Sequence, residues 1–308
     1  RQRASDIHIE ALENSVRVRY RIDGALKQVM SYDLSILAGI TARIKIIGGM
    51  DIAEKRKPQD GRITIMVDRR EFDVRVSILP TVFGEKTVMR LTSKDGLTKP
   101  KSALGFDAEQ QKVFDNILSK PHGIILVTGP TGSGKSTTLY TSLSELNTED
   151  VNIITVEDPV EANINGINQV QVNNKADMTF AAALRSILRQ DPDIIMVGET
   201  RDGETAGTSV RAAITGHVVL STLHTNDAVS SVVRLADMGV EPYLTADSLC
   251  GMAAQRLVRK VCPHCAEAVE LTEEEQRLLG RTVKSAKRGR GCEHCLNTGY
   301  KGRTAVHE

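Results

Sequence analysis

The segment at residues 124–136, IILVTGPTGSGKS, decides the fold of this chain. It joins a short apolar run, typical of a buried strand, to a glycine-rich turn that matches the pattern G-x-x-x-x-G-K-[ST] in full. A helical pattern follows at residues 137–146. Strand, glycine turn and helix in this order predict a phosphate-binding loop on an α/β sheet.

This loop predicts ATP and Mg²⁺ as ligands. Its glycines let backbone N–H groups close around a β-phosphate, and the following helix N-terminus adds positive potential. Lys135 would reach the β- and γ-phosphate oxygens, and Ser136 would ligate the Mg²⁺. The predicted nucleotide-binding residues are Gly129, Pro130, Thr131, Gly132, Ser133, Gly134, Lys135, Ser136 and Thr137.

Working outward, two kinds of pattern divide the chain. Further apolar runs at 153–156, 194–197 and 218–220 are mostly separated by helical stretches, which predicts a parallel α/β sheet. Before the linker at 97–102, residues 6–30, 63–67 and 72–78 alternate, and residues 35–47 favour a helix. We therefore predict a small α+β domain over 1–98, with an antiparallel sheet, and an ATPase domain over 99–308.

Composition limits the function classes. The 308 residues suffice for two domains, and the hydrophobic fraction of 40% is ordinary for a globular protein. A net charge of +1, 3% aromatic residues and no Trp argue against nucleic acid as a partner. Without a long apolar stretch or a signal peptide, we expect a soluble chain that meets a membrane only through partners. The termini at Arg1 and Glu308 suggest a fragment of a longer protein.

Three polar residues follow predicted strands, where the ligands of such sheets bind. Glu199 comes after the strand at 194–197 and is expected to act through a Mg²⁺-bound water. Glu157 follows the strand at 153–156 and offers a second carboxylate, although both acids fit a solvated loop as well. His224 follows the strand at 218–220, where it can sense a γ-phosphate or serve only the structure.

Two C-x-x-C pairs predict a metal site. Cys262 and Cys265 form one pair, and Cys292 and Cys295 the other. Four thiolates suit a closed, tetrahedral, structural Zn²⁺ site, and we expect a zinc subdomain at about 258–300. A redox-active pair is the rival interpretation, and Cys250 stands apart as a packing residue. The intervening basic residues are Lys284, Lys287, Arg288 and Arg290, which fit a solvated or partner-binding face better than a nucleic-acid patch.

Together these segments resemble the secretion ATPase superfamily, in particular its type II secretion and type IV pilus assembly members. The phosphate loop is followed by an Asp box at 154–161 (ITVEDPVE), a Walker B segment at 188–199 (LRQDPDIIMVGE) and a His box at 215–227 (TGHVVLSTLHTND). The segments ASDIHIE at 4–10, RIDG at 21–24 and PQDGR at 58–62 resemble the second, PAS-like N-terminal domain of that family. The resemblance covers essentially the whole chain.

The resemblance implies that the parallel α/β domain is a RecA-like P-loop motor domain and that the chain forms a homo-hexamer with ATP at the subunit junctions. It implies that Glu157 activates the attacking water and that Arg75 and Arg90 approach the γ-phosphate, which completes a predicted catalytic set with Lys135, Glu199 and His224. Further basic positions of the family match Arg185, Arg189 and Arg201. Gly203 and Gly207 fall in the helix predicted after Glu199, and we expect them to interrupt it.

The implied role is a cytoplasmic motor, peripheral to the inner membrane, that drives pseudopilus or pilus assembly through inner-membrane platform proteins. The paired cysteines favour the secretion and pilus-assembly members over the pilus-retraction members. Two alternatives stay open at this point. One is a DNA-translocating motor, and the other is a nucleotide-gated scaffold whose zinc module docks partners.

Overall fold

Two compact units make up the chain, Arg1–Gly96 and Leu97–Glu308. The computed structural model describes residues 4–68, 70–93, 97–279, 283 and 285–308. Lys284, one of the basic residues noted above, lies outside the described residues. The domain boundary that we placed after residue 98 stays a prediction, and each unit is described by itself.

The first unit is an antiparallel sheet with a helix, as predicted. Its strands run in the order β3-β2-β1-β6-β5-β4. The elements are β1 (Ala4–Ala11), β2 (Ser15–Ile22), β3 (Ala25–Asp33), α1 (Leu37–Ile47), β4 (Gln59–Val67), β5 (Arg70–Thr81) and β6 (Gly84–Ser93). Alternate residues such as Val16, Val18, Val74 and Val76 pack in one core with Ile44 of α1, so the period-two pattern marks the buried face.

The second unit is built on a seven-stranded sheet in the order β15-β12-β7-β11-β10-β8-β9. Its strands are β7 (Gly123–Thr128), β8 (Ile153–Glu157), β9 (Asn168–Gln171), β10 (Ile194–Val197), β11 (Val218–Leu223), β12 (Leu249–Val261) and β15 (Tyr300–His307). All neighbouring pairs are parallel except β12 with β15. The predicted parallel α/β sheet is therefore confirmed, with one antiparallel edge.

Helices cover both faces of this sheet. They are α2 (Ala108–Leu118), α3 (Lys135–Leu146), α4 (Phe180–Ile187), α5 (Gly203–Ile214), α6 (Ser230–Asp237) and α7 (Pro242–Ser248). Ile124 and Leu126 of β7 face the core with α4 and α5, whereas Ile125 and Val127 face the core with α2 and α3. Because both faces are buried, the central strands are continuous apolar runs rather than alternating ones.

The expected interruption of α5 is wrong. Gly203 is the first residue of the helix, and the Asp202 side chain caps it by accepting from the Thr205 N–H at 2.8 Å. A Cβ at Gly203 would lie 2.3 Å from the Met238 carbonyl oxygen, so close packing accounts for this glycine. Gly207 lies inside the unbroken helix.

A small module follows β12. It contains β13 (Ala266–Glu270) paired with β14 (Ser285–Gly289) and, between them, α8 (Glu273–Leu279). Its buried cluster among the described residues consists of cysteines alone: Cys262, Cys265 and Cys295, with Cys292 against them. Within the described ranges, none of the helices is both long and apolar enough to cross a bilayer.

Candidate functional site

Four neighbouring parallel strands bring the predicted site residues of the second unit to one edge of the sheet. The four strands lie in the order β7-β11-β10-β8. The phosphate loop follows β7, His224 follows β11, Glu199 lies just after β10, and Glu157 is the last residue of β8. Since the carboxyl ends of parallel strands share an edge, residues that are distant in sequence become neighbours. Thr128, for example, donates from its hydroxyl to the Leu223 carbonyl at 3.1 Å.

The phosphate loop, residues 129–136, has the backbone that its glycines predict. Gly132 and Gly134 have φ values of 77° and 93°, in the left-handed region that favours glycine. Helix α3 starts directly after Gly134, so its first N–H groups face the loop. The Lys135 ammonium group donates to the carbonyls of Gly129 at 2.9 Å and Pro130 at 3.1 Å. Burial lowers the pKa of Lys135, and a phosphate would supply the countercharge that these carbonyls lack.

Glu199 lies between two basic side chains. Its carboxylate forms an ion pair with Arg201 at 2.5 Å and approaches Nε2 of His224 to 3.8 Å. The Glu199 side chain is 15% exposed, whereas that of His224 is 50% exposed. Burial and the nearby Lys135 charge lower the pKa of His224. The neutral imidazole is therefore favoured near neutral pH, and it can accept or donate a hydrogen bond toward a ligand.

Glu157 is buried and is held by three neutral donors. One carboxylate oxygen accepts from the Thr155 hydroxyl at 2.7 Å and from the Gln169 amide at 3.0 Å. The other accepts a short hydrogen bond from the Tyr140 hydroxyl. The Tyr140 hydroxyl in turn accepts from the Glu161 N–H at 3.1 Å, and burial together with Glu157 raises the pKa of Tyr140.

Sequence reasoning missed these three donors. Tyr140 lies on α3 and Gln169 on β9. Neither residue belongs to a sequence motif, so nothing in the local sequence indicates that its polar group contacts Glu157. Thr155 is two positions before Glu157 in β8, so the two side chains share a face of the strand. The two-residue spacing of Thr155 and Glu157 is the one local pattern from which a hydrogen-bond partner of Glu157 could be predicted.

The predicted arginines divide into two groups. In the first unit, Arg75 of β5 and Arg90 of β6 are opposite each other in the register of these two neighbouring strands. The Arg90 Nε donates to the Asp6 carboxylate at 3.0 Å. In the second unit, Arg185 pairs with Glu204, and the Arg189 side chain donates to the Arg185 carbonyl at 2.8 Å. Arg201 alone among them contacts a site carboxylate within the second unit's described residues.

The four cysteines converge. Their Sγ atoms all lie within 4.8 Å of one another, and the pairs Cys262–Cys292, Cys265–Cys295 and Cys292–Cys295 are 3.9, 3.8 and 3.7 Å apart. In a tetrahedral site with zinc–sulfur bonds of about 2.3 Å, neighbouring sulfurs lie roughly 3.8 Å apart. All are free thiols, at separations well beyond a disulfide bond of about 2.05 Å. The geometry therefore fits Zn²⁺ better than a redox pair.

Backbone N–H groups donate to two sulfurs of the cluster and favour the thiolate form of Cys295 in particular. Cys265 accepts from the Gly291 N–H at 3.4 Å, and Cys295 accepts from the N–H groups of Cys292 at 3.2 Å and Gly299 at 3.3 Å. Burial and the neighbouring thiols raise the pKa of Cys265 to about 11. The N–H groups of Cys292 and Gly299 overcome the effect of burial at Cys295 and lower its pKa to about 6. Such donors are a usual second layer around structural metal sites.

The small module after β12, called the cysteine module from here on, also contains histidines and arginines. Their contacts lie within the module itself. His264 and His294 are exposed and stack on each other, with ring centroids 4.1 Å apart. Arg288 pairs with Glu275 at 2.5 Å and Arg290 with Glu267 at 3.1 Å. These pairs neutralise part of the basic stretch within the module itself.

The chain is similar to known proteins over its whole length. The profile of the family described as "Type II/IV secretion system protein" matches residues 1–308. The type II secretion system ATPase E of Vibrio cholerae serotype O1 is 52% identical over 308 residues, covering 99% of this chain and 61% of that protein. The type IV pilus assembly ATPase PilB of Myxococcus xanthus is 52% identical over 316 residues, covering 100% of this chain and 56% of that protein.

A solved structure is also similar. The pilus retraction motor PilT, with bound ADP, has a TM-score of 0.62 and 30% identity, and the alignment covers 85% of this chain and 77% of PilT. The chain spans less than two thirds of the length of the two sequence relatives named above. With the family profile matching from end to end, the chain belongs to the Type II/IV secretion system protein family.

Proposed function

We propose that this chain binds ATP with Mg²⁺ at the phosphate loop and hydrolyses it. The observation that carries the proposal is the meeting of Lys135, Glu199 and Glu157 at one edge of a single sheet. Together they supply a cation for the phosphates, a carboxylate for the metal shell and a buried carboxylate for water. The names of the relatives, which include two ATPases, support the same activity.

The loop and Lys135 bind the phosphates in this scheme. Lys135 exchanges its hydrogen bonds to the Gly129 and Pro130 carbonyls for the β- and γ-phosphate oxygens. The exposed Ser136 hydroxyl would hold the Mg²⁺, which, when bound, neutralises charge that develops between the β- and γ-phosphates. Glu199 would hold a water molecule of that ion's shell once its carboxylate no longer pairs with Arg201.

Glu157 takes the proton from the attacking water in the proposed reaction. The water oxygen forms the new bond to the γ-phosphorus, and the bond between that phosphorus and the β–γ bridging oxygen breaks, giving ADP and phosphate. His224, which directly follows β11, contacts the γ-phosphate in this scheme and so distinguishes ATP from ADP. Arg75 and Arg90 are proposed to approach the same phosphate, on the strength of the family resemblance.

We further propose a cytoplasmic homo-hexamer, peripheral to the inner membrane, that drives pseudopilus or pilus assembly through inner-membrane platform proteins. The relatives' names, a type II secretion system ATPase and a type IV pilus assembly ATPase, support these two processes. The four cysteines would hold one structural Zn²⁺, and their fit to a tetrahedral site supports it.

Glu199→Gln tests the assigned chemistry. The change keeps the shape of the side chain and removes its charge, so we expect ATP binding to persist while turnover falls by about a hundredfold to a thousandfold. Steady-state phosphate release and equilibrium ATP binding measure the two effects. Glu149→Gln, at an exposed loop position, is the matched control. Turnover at the normal rate in Glu199→Gln would refute the role of Glu199.

Tyr140→Phe tests whether the Glu157 network matters for catalysis. The change keeps the ring and removes one of the donors that orient the Glu157 carboxylate, so we expect kcat to fall about tenfold with ADP affinity unchanged. Tyr243→Phe, at a tyrosine that is 69% exposed, serves as the control. If kcat stays at the value of the unchanged chain, the hydroxyl does not position Glu157.

A further inference from the structure

Gln255 occupies a special place on the sheet. It is the first residue of β12 beyond the part that pairs with β7, because the last parallel pair joins Ala254 to Thr128. The phosphate loop starts one residue after Thr128, so Gln255 lies beside the start of the loop. Its side chain is polar, yet the residue is only 2% exposed. A buried amide of this kind needs partners at both of its ends.

Both ends of the Gln255 amide are satisfied, and each partner belongs to the phosphate-binding machinery. The Nε2 atom donates to the Ser133 carbonyl at 2.8 Å. The Oε1 atom accepts from the hydroxyl of Thr138, in the first turn of α3, at 2.7 Å. The Ser133 carbonyl can only accept, which places the nitrogen of the amide there and leaves the oxygen for Thr138. One side chain therefore joins the loop to the helix.

Two glycines of the loop pack directly against position 255 of β12. A Cβ at Gly129 would lie 2.4 Å from the backbone oxygen of Gln255, and a Cβ at Gly134 would lie 2.7 Å from its Nε2 atom. Real Cβ atoms do not approach other atoms so closely. The loop thus packs directly against this residue of β12, and there is no space for a side chain between them.

The hydrogen bond to Ser133 fixes more than one carbonyl. In a trans peptide, the C=O of Ser133 and the N–H of Gly134 point in opposite directions in one plane. The only cis peptide of the described residues joins Asp158 to Pro159. Holding the Ser133 carbonyl toward the Gln255 amide therefore turns the Gly134 N–H away from that amide, which is the orientation that a phosphate bound inside the loop would need.

We propose that Gln255 is a positioning residue of the phosphate loop, which it holds in the conformation that binds the β-phosphate before nucleotide arrives. This role rests on the proposed function. A loop that is already ordered loses less conformational entropy when its ligand binds, so the contribution of Gln255 is expected in nucleotide affinity. A residue that served stability alone would affect the melting temperature and leave the affinity of the folded chain unchanged.

The test uses Mg²⁺-ADP as the probe and isothermal titration calorimetry at a temperature where every variant is folded. Gln255→Met keeps the volume and removes both hydrogen bonds, and Thr138→Val removes the hydroxyl alone. We expect affinity to fall about threefold to tenfold in Thr138→Val and further in Gln255→Met. Thr138→Ser restores the hydroxyl and should recover most of the affinity.

Ser142→Ala is the matched control. Ser142 is buried on the same helix, one turn beyond Thr138, and its hydroxyl donates to the Thr138 carbonyl at 2.9 Å without touching the loop. This variant should lower the melting temperature while binding ADP like the unchanged chain. A comparable loss of affinity in Ser142→Ala would mean that any damage to α3 suffices, which would overturn the proposal.

The outcomes separate this inference from the proposed function. If the unchanged chain binds Mg²⁺-ADP and both Thr138→Val and Gln255→Met bind it equally well, the positioning role is wrong and the nucleotide site stands. If the unchanged chain binds no Mg²⁺-ADP, the proposed function falls and this role with it. Should Gln255→Met fail to fold, the pair Thr138→Val and Thr138→Ser decides the question.

Discussion

Lys135→Ala is expected to weaken ATP binding by about a hundredfold or more and to reduce turnover by about a thousandfold or more. Lys135 supplies the ammonium group at the centre of the loop, 2.9 Å from the Gly129 carbonyl. No second lysine among the described residues donates to these loop carbonyls. Because burial disfavours the charged form, the lysine gains most when phosphate arrives. Calorimetric titration with Mg²⁺-ATP and a phosphate-release assay measure both effects.

Lys175→Ala is the control for this prediction, because Lys175 is an exposed lysine of the same unit. It should bind and hydrolyse ATP like the unchanged chain. The thermal transition of Lys135→Ala without nucleotide should stay close to that of the unchanged chain, since the alanine removes a buried charge rather than apolar packing. Undiminished ATP binding by Lys135→Ala would place the nucleotide elsewhere.

Removing one cysteine of the cluster is expected to unfold the cysteine module and leave the phosphate loop intact. The buried cluster of this module consists of cysteine side chains among the described residues, so little apolar burial replaces the metal. Metal-coupled folding can supply on the order of 10 kcal/mol, which decides whether so small a module is ordered. In Cys262→Ser we expect loss of stoichiometric zinc and rapid proteolysis within 262–300.

Cys250→Ser provides the matched control, because Cys250 lies on β12 outside the cluster and its thiol donates to the His122 carbonyl at 3.1 Å. This variant should keep its zinc and resist the protease. Elemental analysis and limited proteolysis with mass spectrometry distinguish the two variants. A purified chain without zinc, or one with a Cys262–Cys265 disulfide, would refute the structural-metal interpretation.

Local sequence patterns were sufficient for the central strands and the loop. The runs at 124–127, 153–156 and 194–197 are buried on both faces, and continuous apolar runs report that environment directly. The glycine pattern of the loop is equally local, because positive φ values at Gly132 and Gly134 restrict the residue type at those positions. The cysteine pairs likewise predicted the cluster, since C-x-x-C spacing is set by the geometry of one metal.

The missed elements are polar or lie at the edge of the sheet. Strand β9, with the sequence NQVQ, has no fully buried residue, and β12 carries Arg256, Arg259 and Lys260 among its apolar residues. Their strand conformation depends on partners that are distant in sequence. The role of Gln255 could not be predicted for the same reason, because its contacts with Ser133 and Thr138 span 122 and 117 positions of the sequence. A glutamine in a mixed segment carries no local signal of such a contact.

Strand β12 also has a mechanical consequence. It pairs with β7 over Leu249–Ala254 and with β15 over Gln255–Val261, and it ends one residue before Cys262. Both β12 and β15 join the cysteine module at the Val261–Tyr300 end of their ladder, so a pull on the module along β12 loads the two strands in the same direction. The bonds that resist this pull are those of the β12–β7 ladder, which run across the strands and are strained together in shear. A sideways pull would instead open the same bonds one after another. The second unit therefore resists tension along β12. This strand leads from Val261, next to Cys262, back to Gln255, which contacts the phosphate loop.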